Sequence, residues 1–277
     1  MRRVGVAYRT ALAKWIHSYP EEINCLELTA EHFFDDPTAI EQLRGHYPLM
    51  LHGLGISLGT PGPLDAAYIQ KFVDVCRLAD PVWVSEHIAF TRTADVDLGH
   101  LNPIPYTRET LAYFSDHVQE LQDACGKPLL LENITSHLHI DSPLAETDFI
   151  NSVCDKTGCG VLLDVTNLYV NSRNHQFDPQ AWLREIQSQT IRQIHIVGYS
   201  EQAGVLHDSH DGDIQQELFA LTRAAMRCSA VDTVIIERDH NFPPVNRLIT
   251  ELHTLTQCFI DSRDPHQNTG ELRYGHD

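Results

Sequence analysis

Cationic charge is in short supply in this chain of 277 residues, and lysine is the scarcest part of it. The only lysines are Lys14, Lys71, Lys127 and Lys156, and Lys and Arg together number 20 against 38 Asp and Glu, which gives a formal net charge of −18. Phosphate groups are bound by clustered Lys and Arg. The surface as a whole is therefore a poor partner for nucleic acid or for an anionic membrane.

The chain also lacks a cysteine framework and a long apolar run. Its seven cysteines are odd in number and form no CxxC pair, which is typical of a reduced compartment. No apolar segment approaches the ~20 residues that cross a bilayer. Met1-Arg2-Arg3 leads directly into a short strand pattern rather than into a secretory signal. We therefore expect a cytoplasmic protein that does not bind a membrane.

Apolar, strand-like segments alternate with amphipathic stretches of helical length along the chain. The segments lie near 3–7, 23–28, 48–52, 82–87, 128–132, 160–165, 191–196 and 233–237. Such alternation indicates a parallel sheet, and eight strand–helix units indicate closure into a TIM-type (β/α)8 barrel. We predict one α/β barrel domain over residues 1–261, followed by a polar tail at 262–277.

Local signals mark where some helices begin and where the regular pattern breaks. Asp65, Thr107 and Asp178 each precede an amphipathic stretch, as N-cap residues do, and Asp178 is followed by proline. Segments 91–106 and 197–213 are polar and irregular. We predict that both are long loops at the rim where a barrel binds its ligands.

Six predicted strands end in a residue type that binds metal ions. These residues are His52, His87, Glu132, Asp164, His195 and Glu237. A single histidine at a strand end is more often structural, but the ends of parallel strands meet at one rim of a barrel. Imidazole and carboxylate bind divalent first-row metals, and buried carboxylates without cations are costly. The pattern therefore predicts a buried polynuclear metal centre.

Further candidate ligands lie outside the strand ends. In an extended segment Asp208 and His210 face the same side, so the pair could hold one metal ion. Asn167 lies about one turn after Asp164, and His175 lies in the loop beyond. Asp239 shares the parity of Glu237 and is our candidate for a catalytic, proton-handling group.

Several motifs recur in the order in which a known family carries them. They are LHGLGISLGTPGPLD, VSEHIAF, LLENITS, GCGVLLDVTNLYVNSRNHQFDP, IHIVGYSE, HDSHDGD and ERDHNFP. On these motifs the chain resembles the multinuclear non-heme iron-dependent oxidative enzymes, long known only as a domain of unknown function. The resemblance covers roughly residues 4–260. Thr166 departs from the usual family pattern, in which Asn-Asn stands at 166–167.

The resemblance implies a fold and a function. Members of the family resemble xylose-isomerase-type barrels and use iron and O2 to modify cysteine in ribosomally made precursor peptides. One branch excises the cysteine β-carbon in 3-thiaglutamate synthesis, and another forms an oxazolone and a thioamide in methanobactin synthesis. The intact Asn-Leu-Tyr-Val…Asn-His block favours the first branch. A small partner protein that binds the leader peptide, in a heterodimer, is also implied.

The resemblance further assigns the candidate ligands to two or three irons of mixed Fe(II) and Fe(III) state. His52, His87 and Glu132 correspond to one site. Glu132 also bridges to a second site with Asp164, His195 and Glu237. The third site corresponds to Asn167, His175, Asp208 and His210.

Other functions remain open from the residues themselves, since histidine and carboxylate also bind zinc and manganese. An abasic-site endonuclease of this barrel type is disfavoured by the net charge and by Asn167, where histidine is expected. A sugar isomerase is disfavoured because no lysine ends a predicted strand. A non-catalytic protein that binds metal and peptide is a further alternative.

Overall fold

Eight parallel strands close into a barrel in the computed structural model, which describes residues 2–93 and 96–262. The barrel strands neighbour one another in chain order, and the first pairs with both the second and the last to close the ring. The prediction of a (β/α)8 barrel is confirmed. The predicted domain end at residue 261 coincides with the last residue of the final helix. Apart from Ser262, the predicted tail lies outside the described residues.

The strands and helices alternate along the chain. The strands are β1 Arg3–Ala7, β2 Leu26–Thr29, β3 Leu49–His52, β4 Val84–His87, β5 Phe90–Arg92, β6 Asp97–Asn102, β7 Leu129–Glu132, β8 Gly160–Asp164, β9 Ile191–Ile196, β10 Gly198–Gln202, β11 Val205–Gly212 and β12 Thr233–Ile236. The α-helices are α1 Ala13–Ser18, α2 Thr38–His46, α3 Ala66–Ala79, α4 Arg108–Cys125, α5 Glu146–Thr157, α6 Val165–Asn174, α7 Pro179–Glu185, α8 Gln216–Cys228 and α9 Val245–Asp261. Short 3-10 helices occupy Thr10–Leu12, Pro20–Glu22 and Ala30–Phe33.

Side chains along the barrel strands alternate between two environments. Leu49 and Leu51 of β3, like their counterparts on the other strands, belong to the large core between the strands and the helices. A separate small cluster fills the barrel interior with Ala7, Cys25, Met50, Trp83, Leu130, Leu162 and Ile235. Residues two apart on a strand point to the same side. The residue that follows each interior side chain by two positions therefore also faces the barrel axis, nearer its carboxyl-terminal mouth.

The helix starts predicted from sequence are confirmed by their caps. The Asp65 carboxylate accepts hydrogen bonds from the backbone N–H groups of Ala67 and Tyr68. The Thr107 hydroxyl accepts one from Thr110, and Asp178 accepts one from Gln180. Each bond satisfies an N–H that has no partner within its helix, which fixes where the helix begins.

The two segments predicted as irregular loops are largely hairpins. β5 pairs with β6, and β10 pairs with β11, both antiparallel. The turn between β10 and β11 has positive φ at Ala203 and Gly204, the geometry that joins two strands through a two-residue loop. Both segments lie between a barrel strand and the helix that follows, as predicted, but their short strands were not predicted, because polar strands outside the core carry no apolar alternation.

Across residues 2–93 and 96–262, no helix combines the length and the apolar character needed to cross a bilayer.

The approach of β1 to β2 leaves no room for a side chain at Gly5, and a pair of substitutions tests this. A Cβ there would lie 2.2 Å from the carbonyl oxygen of Cys25. We expect Gly5→Ala to lower the free energy of unfolding by about 1–3 kcal/mol, because the backbone must shift. The measurement is urea denaturation.

Gly45→Ala is the matched control. No described atom lies within 4 Å of a Cβ at this position in α2. Alanine is the better helix former, so stability should be unchanged or should rise by up to ~1 kcal/mol. Equal effects of the two substitutions would contradict the packing described for β1 and β2.

Candidate metal centre

Polar side chains from six barrel strands converge at the carboxyl-terminal mouth. Five of them follow an interior side chain by two positions: His52 after Met50, Glu132 after Leu130, Asp164 after Leu162, His195 after Gln193, and Glu237 after Ile235. His87 follows Ser85, which itself follows Trp83. All six are at least 94% buried. The predicted strand-end residues are thus brought together by the alternation of the strands.

Glu132 lies at the centre of this arrangement. Its Oε2 is 3.3 Å from Nε2 of His52 and 3.4 Å from Nε2 of His87. Its Oε1 is 3.1 Å from Nδ1 of His195, and the same nitrogen is 2.9 Å from Oε2 of Glu237. The structure therefore assembles two groups of potential ligand atoms that share Glu132, one with His52 and His87 and one with Asp164, His195 and Glu237.

The donor set fits metal ions. Within each group the potential ligand atoms lie within 4.8 Å of one another. Two ligands about 2.1 Å from one ion are roughly 3.0–3.4 Å apart, close to the separations around Glu132. Among the described residues, Nε2 of His52, Oε2 of Glu132 and Oδ2 of Asp164 are buried without a hydrogen-bond partner. Unpaired buried polar atoms are costly, and a cation at the centre would satisfy all three.

Electrostatics supports the same interpretation. Burial, followed by the nearby carboxylate of Asp208, raises the pKa of Asp164 well above its usual value, and burial also raises the pKa of Glu132. Burial and the neighbouring His87 lower the pKa of His52 well below its usual value. Burial opposes a charge on His87 too, but Glu132 and Glu86 outweigh it and raise its pKa to about 9. Acids and imidazoles that shift one another's pKa values in this way are typical of a functional site.

The outward nitrogen of each histidine has a fixed partner. Nδ1 of His52 is 2.9 Å from the hydroxyl of Ser85, and Nδ1 of His87 is 3.1 Å from Oε1 of Glu86. Nε2 of His195 is 2.7 Å from Oε1 of Glu27. Partners of this kind orient the ring of a metal-binding histidine and set which nitrogen is free.

Asp164 combines two tasks at the end of β8. Its Oδ1 accepts the backbone N–H of Asn167 at 2.6 Å and thereby caps α6, which starts at the next residue. Its Oδ2 is left without a partner among the described residues. The helix start favours a negative charge at this position. Folding of α6 therefore aims the second oxygen at the centre.

The β10–β11 hairpin carries a second layer of charged groups at the mouth. Nε2 of His210 is 2.7 Å from Oδ2 of Asp208, and Nδ1 is 3.1 Å from Oδ2 of Asp239. Burial opposes a charge on His210, but Glu237 and these two aspartates raise its pKa to about 12. Asp208 and His210 are together as their parity predicts, but each imidazole nitrogen faces a carboxylate.

Asp239 is held between His210 and an arginine. Nε and Nη2 of Arg9 lie 2.8 and 2.6 Å from Oδ1 of Asp239, and Nη2 is also 3.7 Å from Oε1 of Glu237. Partial burial works against the charge, but the His210 contact and the Arg9 guanidinium keep the pKa of Asp239 below its usual value. Asp239 therefore faces the same mouth as Glu237, as a stable anion.

The remaining two candidate ligands point elsewhere. The Asn167 amide donates to the carbonyl of Asn133, and its oxygen accepts from the Thr135 hydroxyl. Nε2 of His175 is 2.7 Å from the carbonyl oxygen of Ser136. Both side chains are thus hydrogen-bonded to groups outside the candidate third set. His175 follows the end of α6 at Asn174 and contacts the loop after β7.

His175 instead lines a cavity of about 810 Å³ beside the mouth. Tyr106 and Trp182 form aromatic parts of its wall, and both donate hydrogen bonds to the carboxylate of Glu146. The loop that follows Glu132 contributes Ile134 and Ser136. Part of the cavity wall is therefore formed by residues that follow β7, the strand that carries Glu132.

Sequence reasoning missed several residues that complete the centre. They are Arg9, Glu27, Ser85, Glu86 and Gln193. Glu27, Ser85 and Gln193 occupy axis-facing positions that period-two alternation could have found. Arg9 and Glu86 leave no such signal.

The sequence of this chain is similar to those of a known protein family. Residues 3–259 match the protein family described as RiPP precursor modification enzyme MbnB/TglH/ChrH. A UPF0276 protein of Rhizorhabdus wittichii is 34% identical over 237 residues, which cover 84% of this chain and 85% of that protein. The resemblance drawn from the sequence motifs is thereby confirmed.

Two solved structures show the fold of the barrel. A xylose isomerase domain protein from Planctomyces limnophilus has a TM-score of 0.59 at 13% identity, with 94% of this chain and 98% of that chain covered. Endonuclease IV from Thermus thermophilus has a TM-score of 0.56 at 15% identity, with 94% and 98% covered. At such identities the likeness concerns the fold alone.

Removal of the shared carboxylate tests the centre. We expect Glu132→Gln to lose most of its capacity to bind divalent metal, with Fe(II) as the probe, because both ligand groups contain Glu132. In the parent protein Fe(II) should raise the melting temperature, since a ligand that binds only the folded state stabilises it. In the variant this rise should vanish. The measurements are anaerobic metal analysis and thermal denaturation with and without Fe(II).

His117→Gln is the control, because His117 is equally buried but contacts the carbonyl groups of Leu58 and Gly62 away from the centre. It should keep its metal content. Full metal content in Glu132→Gln would show that the two groups do not share an ion-binding carboxylate.

Proposed function

The chain belongs to the RiPP precursor modification enzyme family MbnB/TglH/ChrH, and from this premise we propose that it uses iron and O2 to oxidise a cysteine in a ribosomally made precursor peptide. The observation that carries the proposal is the position of Glu132 between three imidazoles and two further carboxylates. Sites of this composition hold redox-active first-row metals as well as zinc.

The chain's own residues would hold iron in two of the three sets inferred from sequence. His52, His87 and Glu132 would hold one ion, and Glu132, Asp164, His195 and Glu237 a second. We keep Asn167, His175, Asp208 and His210 as the proposed third set, which would require His175 to leave the carbonyl of Ser136. When bound, iron would supply one-electron chemistry with O2 and a site for a thiolate.

The residues above the proposed irons would handle the peptide and its protons. A cysteine thiol must lose its proton to act as a thiolate ligand. Asp239 is our candidate for the acceptor, because its Oδ2 lies at the mouth beside Nδ1 of His210. The Arg9 guanidinium would keep Asp239 ionised and correctly placed.

We propose β-carbon excision as the reaction, with oxazolone and thioamide formation as the alternative outcome. The intact Asn-Leu-Tyr-Val…Asn-His segment at 167–175 supports this choice. We also propose that a small protein binds the leader peptide and forms a heterodimer with this chain. Family membership supports a peptide substrate.

The experiment that tests this function is a reaction with the precursor peptide encoded beside the gene, together with any small protein encoded there. Fe(II)-loaded protein, peptide and O2 are combined, and the peptide is analysed by mass spectrometry. Excision removes one CH2 unit from the cysteine, whereas oxazolone and thioamide formation removes hydrogen but no carbon. Cys→Ser peptide and anaerobic reactions are the controls. An unmodified peptide that still binds the iron-loaded protein would favour the non-catalytic alternative.

Asp239→Asn separates metal binding from turnover. We expect the variant to retain its iron, because Asp239 belongs to neither ligand group, and to lose about 10²–10⁴-fold in rate, the usual contribution of a positioned proton acceptor. Single-turnover kinetics and metal analysis check this.

The matched control is Asp232→Asn, which removes the same charge at the opposite end of β12, where Asp232 pairs with Arg3 and Arg192. It should turn over normally. An Asp239→Asn variant with undiminished rate would end the proton-handling role.

A further inference from the structure

A chain of buried polar side chains runs from the barrel interior to the centre. It consists of Trp83, Gln193, Glu27 and His195, whose exposed fractions are 5, 0, 1 and 0%. Trp83 belongs to the apolar interior cluster, and His195 faces Glu132 and Glu237. Four polar groups in a dry interior are costly unless each is paired, so the direction of every hydrogen bond is constrained.

The direction is set at Trp83. An indole Nε1–H can only donate, and it lies 2.6 Å from Oε1 of Gln193. The amide oxygen of Gln193 must therefore face Trp83, and its NH2 group must face Glu27, whose Oε2 accepts from it. The orientation of the Gln193 amide is therefore fixed by the indole N–H of Trp83, which can only donate.

The direction of the hydrogen bond at Gln193 in turn fixes the direction of the hydrogen bond at His195. With Oε2 of Glu27 occupied by the Gln193 amide, Oε1 is 2.7 Å from Nε2 of His195. The Gln193 amide nitrogen also lies 3.0 Å from Nε2, but the carboxylate is the stronger acceptor and binds both donors. A carboxylate only accepts, so Nε2 must carry the proton. Nδ1, which faces Oε1 of Glu132 and Oε2 of Glu237, is then the nitrogen that becomes free.

We propose that Trp83, Gln193 and Glu27 form an orienting relay that keeps the proton of His195 on Nε2 and so presents Nδ1 as the metal-binding nitrogen. Glu27 is a positioning residue in this scheme, since it acts through His195. The inference rests on the proposed function only in that it requires a cation at the centre.

An amide at position 27 cannot serve the relay. Gln193 is fixed by Trp83, so its NH2 group requires an acceptor from residue 27. After a Glu27→Gln substitution, the oxygen of the new amide would turn to Gln193, and its NH2 group would turn to Nε2 of His195. That arrangement demands an unprotonated Nε2 and places the imidazole proton on Nδ1, where the cation has to bind.

The test is a double-mutant cycle in the full-length protein that exchanges the acid and the amide. Glu27→Gln should weaken Fe(II) binding by about 10- to 100-fold, the usual cost of losing such a partner. Gln193→Glu should weaken it as well, because two carboxylates then lie side by side. The double variant E27Q/Q193E should regain most of the affinity. Its new carboxylate at position 193 accepts from Trp83 and from the new amide at position 27, and Nε2 of His195 again meets an acceptor.

Affinity is measured by anaerobic titration of Fe(II) against a chromogenic chelator, with thermal denaturation of each metal-free variant as a check on folding. Glu146→Gln is the matched control, since Glu146 is a partly buried acid bonded to Tyr106 and Trp182 away from the centre. A pure charge effect would also be reversed in E27Q/Q193E, because the exchange restores the net charge. It would however tighten Fe(II) binding in Gln193→Glu, which adds a negative charge, whereas the relay predicts weaker binding in that variant.

The outcomes are distinguishable. Loss in both single variants with recovery in E27Q/Q193E supports the relay. Parent-like affinity in Glu27→Gln, tighter binding in Gln193→Glu, or no recovery in the double variant overturns the relay and leaves the proposed function standing. A parent protein that binds no Fe(II) overturns both.

Discussion

The dry burial of Glu132 among imidazoles is the constraint on which the rest of the site depends. A carboxylate at the mouth of an apolar barrel loses its hydration, and His52, His87 and His195 approach it without satisfying both oxygens. Such an arrangement is unfavourable by itself and favourable around cations. Asp164 and Glu237 add two further buried carboxylates to the group that contains Glu132 and His195. The need for positive charge therefore extends beyond Glu132 itself.

The architecture meets this constraint in layers along the barrel axis. The lowest layer is apolar and includes Met50, Leu130 and Trp83. Groups that orient the ligands pair in register with this cluster, Glu27 with Met50 and Ser85 with Leu130, and they contact His195 and His52. The hairpin that carries His210 covers the mouth, where Asn174 bonds to both backbone groups of Leu206. The ligands therefore rest on side chains that are themselves buried, such as Ser85 and Glu27.

Much of this could be predicted from the sequence, and the failures have physical causes. The strand ends were predicted because an apolar run closed by a ligand residue is a local pattern, and the barrel brings such ends together. Glu27 and Gln193 were missed because they lie inside their strands rather than at the ends. The direction of His175 could not be predicted, since it depends on where α6 ends and on the carbonyl of Ser136. The interlocked directions of buried hydrogen bonds depend on distances that no spacing in the chain reveals.

The alternation of the strands has a consequence for how the chain tolerates insertions. His52, Glu132, Asp164 and Glu237 face the axis only because each lies an even number of residues beyond an interior side chain. One residue inserted between Leu130 and Glu132 would turn the carboxylate toward the helices and a different side chain toward the candidate metal centre. The same insertion in the surface loop at 139–142 would leave every axis-facing position unchanged. Insertions and deletions should therefore be tolerated only in the loops that connect the strands and helices. The strand segments that carry the candidate ligands cannot change in length by even one residue.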